Sequence, residues 1–187
     1  MPTSPIATEH EHYCHDSTNF PLEKFLQRGS GNGRRILILG EAPAPNGWRK
    51  SGKAFYRIDG KLLPTGKNLN LLLAEYQVSV ETCAFTELVK CFVGNDRKQL
   101  SSCGEKCWLV FLKQLQLLNT NLIISLGVKT LEIFNNQSGY HLEMGVISEV
   151  KLDGKQYRFL PIYHPSTINP FNHQKNQAIF EHLSVLA

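Results

Sequence analysis

Nowhere in the 187 residues is there an apolar run near the roughly 18 residues that a membrane-spanning helix needs. The first residues, MPTSPIATEHEHYCHDS, are polar and acidic and lack the apolar segment of a secretory leader. A membrane-embedded or secreted protein is therefore not expected. No internal repeat or low-complexity tract is visible, which leaves a globular unit rather than an array. Cysteines are few, five in all. Without a leader they point to a reducing compartment, the cytoplasm, where metal ligation or buried thiols take the place of disulfides. Charge is not extreme either. A net charge of +4 and a pI near 8.8 permit a polyanionic partner without requiring one. What is there is the composition of a globular chain, 42% hydrophobic and 19% charged, long enough for one domain with a substantial core.

Residues 1–33 read as a loosely structured N-terminal arm ending in the turn-rich GSGNG, with the folded domain running from 34 to 187. From there, short apolar runs suited to buried strands alternate with stretches at helical spacing. Strands are expected at 35–39, 82–89, 121–127 and 157–163. Helices are expected where Leu62, Leu69, Leu72, Leu73 and Tyr76 recur, and where Cys107, Phe111, Leu115 and Leu118 recur after Ser102. VKTLEIF continues as a helix from the third strand, and a closing helix carries Ile179, Leu183 and Leu186. Asp153-Gly154, between alternating apolar residues, is the signal of a type I′ hairpin. The class implied is α/β: a three-layer α/β/α sandwich around a short, mostly parallel central sheet. In such sheets ligands gather outside the carboxyl ends of the strands. Three unusual segments lie there: GEAPAPNGW, Glu87–Cys91 and HPSTINP.

The first of these runs into GWRKSGK, which has the outline of a phosphate-cradling P-loop. That reading fails on three counts. Ala54 stands where Ser or Thr must follow the lysine to bind magnesium. Two Gly and a Pro occupy FYRIDGKLLPTG, where the helix should begin, and seven residues separate Leu39 from Gly47.

GEAPAPNGWRKSGKAF, TELVKC at 86–91 and YHPSTINP at 163–170 together resemble motifs of the uracil-DNA glycosylase superfamily, in the same order and each after a strand. The first looks like the Gly-rich motif of the thermophile-type and neighbouring families. The second is similar to TNIVKC of the iron–sulfur (family 4) enzymes, and the third to their HP[SA] motif. The resemblance covers most of the chain from about residue 34.

It implies a site for cleaving the N-glycosidic bond of a flipped nucleotide in base excision repair. Such a site must stabilise the departing base anion with donors fixed in advance, and must hold the base by stacking and edge hydrogen bonds. By resemblance, His164 donates to the base carbonyl, with backbone N–H groups of Glu41 and Ala42 completing the cradle. Phe55 is either the stacking face or a plain core aromatic. Glu41 either orients the attacking water or only hydrogen-bonds its own loop; Ala42 replaces the Asp that polarises water in the best-studied family. Glu87 stands where TNIVKC has Asn. Ionised, it offers only acceptors and repels the O4 of uracil; protonated, it can read a uracil-like edge.

Cys91 and Cys107 have fifteen residues between them, the spacing of the last two cluster ligands in the family 4 enzymes, and Arg97 falls six after Cys91 as an Arg does there. The first two ligands of those enzymes form C-x2-C; here only Cys14 appears, with Ser17 in the second place. His12, His15 or Cys103 are the substitutes. Cys14, Cys91, Cys103 and Cys107 suit a 4Fe–4S cluster or zinc, and unligated thiols are the alternative. Cys83 reads as buried. Trp48, Arg49, Lys50 and Lys53 are placed to face DNA phosphates, or form a solvated basic loop. Ser166 and Ile168 lie in the loop that wedges into the vacated stack, Ile168 being the wedge. The expectation is a monomeric glycosylase acting on DNA; the alternative is a protein of the same fold that binds flipped bases without cleaving them.

Overall fold

A run such as ILILG has neither the length nor the polar face of a surface helix, and it pairs as a buried strand. The computed structural model describes residues 25–45 and 47–181. Five strands form one sheet among them: β1 (Ile36–Gly40), β2 (Ala84–Glu87), β3 (Leu122–Leu126), β4 (Ser148–Leu152) and β5 (Lys155–Ile162). Their order is β2-β1-β3-β5-β4. The pairs β1–β2, β1–β3 and β3–β5 are parallel, and β4 joins β5 antiparallel at one edge. The helices are α1 (Trp48–Ser51), α2 (Pro64–Leu73), α3 (Leu100–Gln116), α4 (Val128–Ser138) and α5 (Phe171–Glu181). None of the helices among the described residues is long and apolar enough to cross a membrane.

Alternation along each strand divides the core in two. Leu37, Leu39, Ile123 and Phe159 pack with Cys107, Phe111 and Leu115 of α3 and Leu131 and Phe134 of α4. Ile36, Ile38, Ile124 and Leu160 pack on the opposite face with Trp48 of α1, Leu69 and Leu73 of α2 and Phe180 of α5. This is the α/β/α sandwich expected from the alternation of strands and helices. The β4–β5 turn also takes the expected form: Asp153 and Gly154 both have positive φ, 47° and 83°, as a type I′ turn requires.

Several boundaries differ from the sequence reading. Residues 25–33, assigned above to the arm, pack against the domain: Phe25 is 1% exposed, and Gln27 exchanges both backbone bonds with Phe85 at 2.9 Å. This covers the outer edge of β2, where unpaired backbone groups would otherwise invite another chain. The second strand is shorter than 82–89, although Leu88 and Val89 still donate to the carbonyls of Gly40 and Glu41 at 2.8 Å. The closing helix begins at Phe171 and carries Ile179 as expected, and Leu183 and Leu186 lie outside the described residues.

Candidate active site

The parallel strands β1, β2, β3 and β5 end on the same side of the sheet, and their following loops enclose a cavity of about 690 Å³. That is within the usual size range of small-molecule pockets. Of the sequence-selected residues, Glu41, Ala42, Phe55, Glu87, His164, Ser166 and Ile168 all line it.

Gly40 ends β1 opposite Glu87 of β2. A Cβ on Gly40 would come within 3.3 Å of the Glu87 side chain, so the glycine lets the carboxyl-bearing chain lie against β1. The next residue, Glu41, is gripped from across the cleft: Arg97 Nη2 lies 2.8 Å from each of its carboxylate oxygens. Phe55 has φ of +65°, a conformation costly for a bulky side chain. It is held there by a 2.7 Å bond from the Leu63 N–H to its carbonyl and by its contact with Phe85, ring centroids 4.6 Å apart. Gly66 makes room, because a Cβ there would sit 2.9 Å from that of Phe55.

Three asparagines fix the His164 loop through its backbone. Asn176, fully buried on α5, accepts from Tyr163 N–H at 3.0 Å and donates to Tyr163 O at 2.8 Å. Asn172 donates to His164 O at 3.1 Å, and Asn68 of α2 to Pro165 O at 2.9 Å. Behind the histidine, Gly127 has φ of +92°, and a Cβ on it would meet that of His164 at 3.3 Å. The imidazole is open to the cleft, yet the protein crowded around it pushes its pKa below the ordinary histidine value. Glu41 acts in the opposite direction, and Arg97 adds to the lowering. At neutral pH the ring is therefore neutral, with one N–H to donate.

Glu87 is 7% exposed, and burial pushes its pKa up to about 8. Lys90 opposes that rise and Glu41 reinforces it. Lys90 is itself fully buried; its Nζ donates to Thr86 Oγ1 at 2.8 Å and to the backbone carbonyl of Glu87.

The basic residues of the motif loop, Arg49, Lys50 and Lys53, lie apart from the cavity wall. Arg49 stacks over the ring of Phe92, 4.1 Å from its centroid, while Lys50 is exposed. Lys53 pairs with Glu81 at 3.1 Å and sits 3.8 Å over the Tyr56 ring. Trp48, grouped with them in the sequence reading, is instead buried between Phe25 and Phe85, at 5.7 and 5.1 Å. Ile168 projects from the loop after β5, 92% exposed.

Cys91, Cys103 and Cys107 are all buried in the core layer under α3, and the Lys90 N–H donates to Cys107 Sγ at 3.2 Å. Cys14 lies outside the described residues. Among the described residues, no group of three or more Cys, His, Asp or Glu side chains comes together to hold a metal ion. The described thiols alone therefore do not make up a four-ligand site. Cys83, also buried, has its pKa pushed up to about 12, which keeps it an inert thiol.

Sequence reasoning missed Phe85, Phe92, Gly127 and the three asparagines. Asn172 and Asn176 are four apart on one helix, and an amide pair at that spacing, just after HPS, is a legible sign of a helix clamping a loop. Asn68 carries no such sign.

The fold and cleft define an α/β/α protein whose site is built from loops at the strand ends. The sequence model of the Uracil DNA glycosylase superfamily matches residues 28–184. A curated relative, the type-4 uracil-DNA glycosylase of Archaeoglobus fulgidus, is 30% identical over 148 residues, covering 75% of this chain and 70% of its own. The chain belongs to the uracil-DNA glycosylase superfamily.

Proposed function

We propose that the protein hydrolyses the N-glycosidic bond of a deaminated base, such as uracil, extruded from DNA. The observation that carries this reading is the convergence of His164, Phe55 and Glu87 on one cleft with Glu41 at its wall. A neutral imidazole donor, a stacking ring and an edge-reading group are what the chemistry asks for. In the reaction, water adds its oxygen to the anomeric carbon. The electron pair of the C–N bond passes to the base and reaches its carbonyl oxygen, where His164 N–H stabilises it. The water proton leaves to solvent. Because Glu41 is held in an ion pair with Arg97, its role is to orient the water rather than to act as a strong base. Arg49 and Lys50 flank the cleft for the phosphates and Ile168 fills the vacated stack.

A 4Fe–4S cluster on Cys14, Cys91, Cys103 and Cys107 is part of the same proposal. Its support is the burial of three of these thiols in one layer and the relative's type. Bound, it would act as a tie between the N-terminal arm and α3, and no chemical step uses it. The working unit is proposed as a cytoplasmic monomer whose domain takes in residues 25–33 as well as the sequence from 34.

Excision of uracil from a single-stranded oligonucleotide, followed by alkaline cleavage at the abasic site, tests the enzyme. Ala42, in place of a water-polarising Asp, favours a second reading, a protein that binds flipped bases without cleaving them. Tight binding to a uracil oligonucleotide without any excision would establish that one instead.

A further inference from the structure

Glu87 is the one cleft carboxylate that no described residue binds, although the charge of Lys90 acts on it. Its side chain is nine-tenths buried and lines the cavity, but its carboxyl makes no hydrogen bond within the described residues. The charged and titratable groups around it are committed elsewhere. Lys90 Nζ is turned to Thr86 Oγ1 and to the backbone carbonyl of Glu87. Arg97 is bound to both oxygens of Glu41. His164 is neutral, and Glu41 is an anion that disfavours a second one nearby. A buried carboxylate without donors is costly; a buried carboxylic acid facing an open cavity waits for a partner there.

Resting on the glycosylase-fold reading of the cleft, we propose that Glu87 reads the edge of the extruded base as a carboxylic acid, donating one hydrogen bond and accepting one. An acid of this kind presents the same pair of functions as an Asn amide. Uracil offers N3–H beside O4, and hypoxanthine and xanthine offer a ring N–H beside O6. The substrate class is thus bases with a lactam edge, the products of deamination. Once ionised, Glu87 offers acceptors only and repels the base carbonyl. An acid can carry its proton on either oxygen, so it also meets the reversed edge of cytosine. Rejection of cytosine then falls to the bond-breaking step, where the cytosine anion is the poorer leaving group.

The test compares equilibrium binding of two oligonucleotides, one bearing non-cleavable 2′-fluoro-deoxyuridine and one a tetrahydrofuran abasic analogue without a base edge. Their affinity ratio is followed from about pH 6.5 to about pH 8.5, where uracil N3–H stays mostly protonated, for wild type and Glu87→Gln. With an acid titrating near 8, the wild-type ratio falls about fourfold across this range. In Glu87→Gln, whose amide does not titrate, the ratio stays flat. A flat ratio in the wild type, or an equal fall in both proteins, overturns the proposal; if the variant fails to fold, the wild-type ratio alone decides. Single-turnover excision of deoxyuridine is run alongside. A pH-dependent ratio without excision keeps Glu87 as the edge reader and removes the enzyme, whereas excision with a flat ratio removes only Glu87.

Discussion

A single terminal nitrogen of Arg97 lies 2.8 Å from both carboxylate oxygens of Glu41, and after burial this pair of opposed charges is what acts on His164. Removing Arg97 takes away a cation that disfavours imidazolium and leaves the Glu41 anion that favours it. Arg97→Ala is therefore expected to raise the His164 pKa. An NMR titration of the imidazole checks the direction, and the acid limb of the excision profile should move to higher pH with it. An unmoved titration would mean that Arg97 is too well solvated to matter.

His164→Ala should cost about 10²–10³ in single-turnover excision, the usual worth of one preorganised anion donor. Its thermal melt should stay close to wild type. The reason is that the loop is held through the backbone of Tyr163, His164 and Pro165 by asparagines, and not through the imidazole. Near-normal excision would make His164 a structural residue.

Asn176→Leu separates the clamp from the chemistry. It strands the N–H and carbonyl of Tyr163 at a fully buried amide, so a loss of about 1–3 kcal/mol is expected in urea unfolding. Excision should fall as well, though the side chain is not a cavity-lining group. Unchanged stability would show that another group takes over the Tyr163 backbone.

The sheet and both core faces were legible because alternation and short apolar runs report directly on strand burial, as at Ile36–Leu39 and Leu122–Leu126. The cleft was legible as loops after strands, and motif resemblance picked out His164, Glu41, Phe55 and Glu87. Other features left no periodic trace. The four residues of α1 are fewer than two turns, so Trp48 was read with its basic neighbours rather than as core. Phe25 is an isolated apolar residue whose burial depends on a distant contact with Trp48. Cysteine spacing gave three buried thiols in one layer, but spacing does not say which side chains approach one another in space.

Among the cations of the motif loop, Lys50 and Lys53 should differ. Lys53 already pairs with Glu81 and lies over Tyr56, whereas Lys50 is exposed. If Lys50 meets a phosphate of single-stranded DNA, Lys50→Ala lowers the slope of log affinity against log salt by about 0.7. Lys53→Ala should change it less, since its charge is partly compensated by Glu81. Equal slopes for both variants would place the phosphate path elsewhere on the surface.

Glu87 also leaves a mark on stability. Its folded-state pKa, about 8, is above the ordinary value of 4.5 that the unfolded chain takes. Between these values the folded protein holds a proton that the unfolded chain has released. By linkage, stability then falls as pH rises across this window, with a limiting slope of about 1.4 kcal/mol per unit. The contribution is fully present below the unfolded value and is lost once pH has risen through the folded one. Glu87→Gln keeps the shape of the neutral acid and removes the titration. Urea unfolding at several pH values is expected to show the variant gaining on the wild type from mildly acid to mildly alkaline conditions, with the gap levelling off above about pH 8. Parallel stability curves for the two proteins would mean that Glu87 ionises in the folded state at its ordinary pKa, with the Lys90 ammonium offsetting burial.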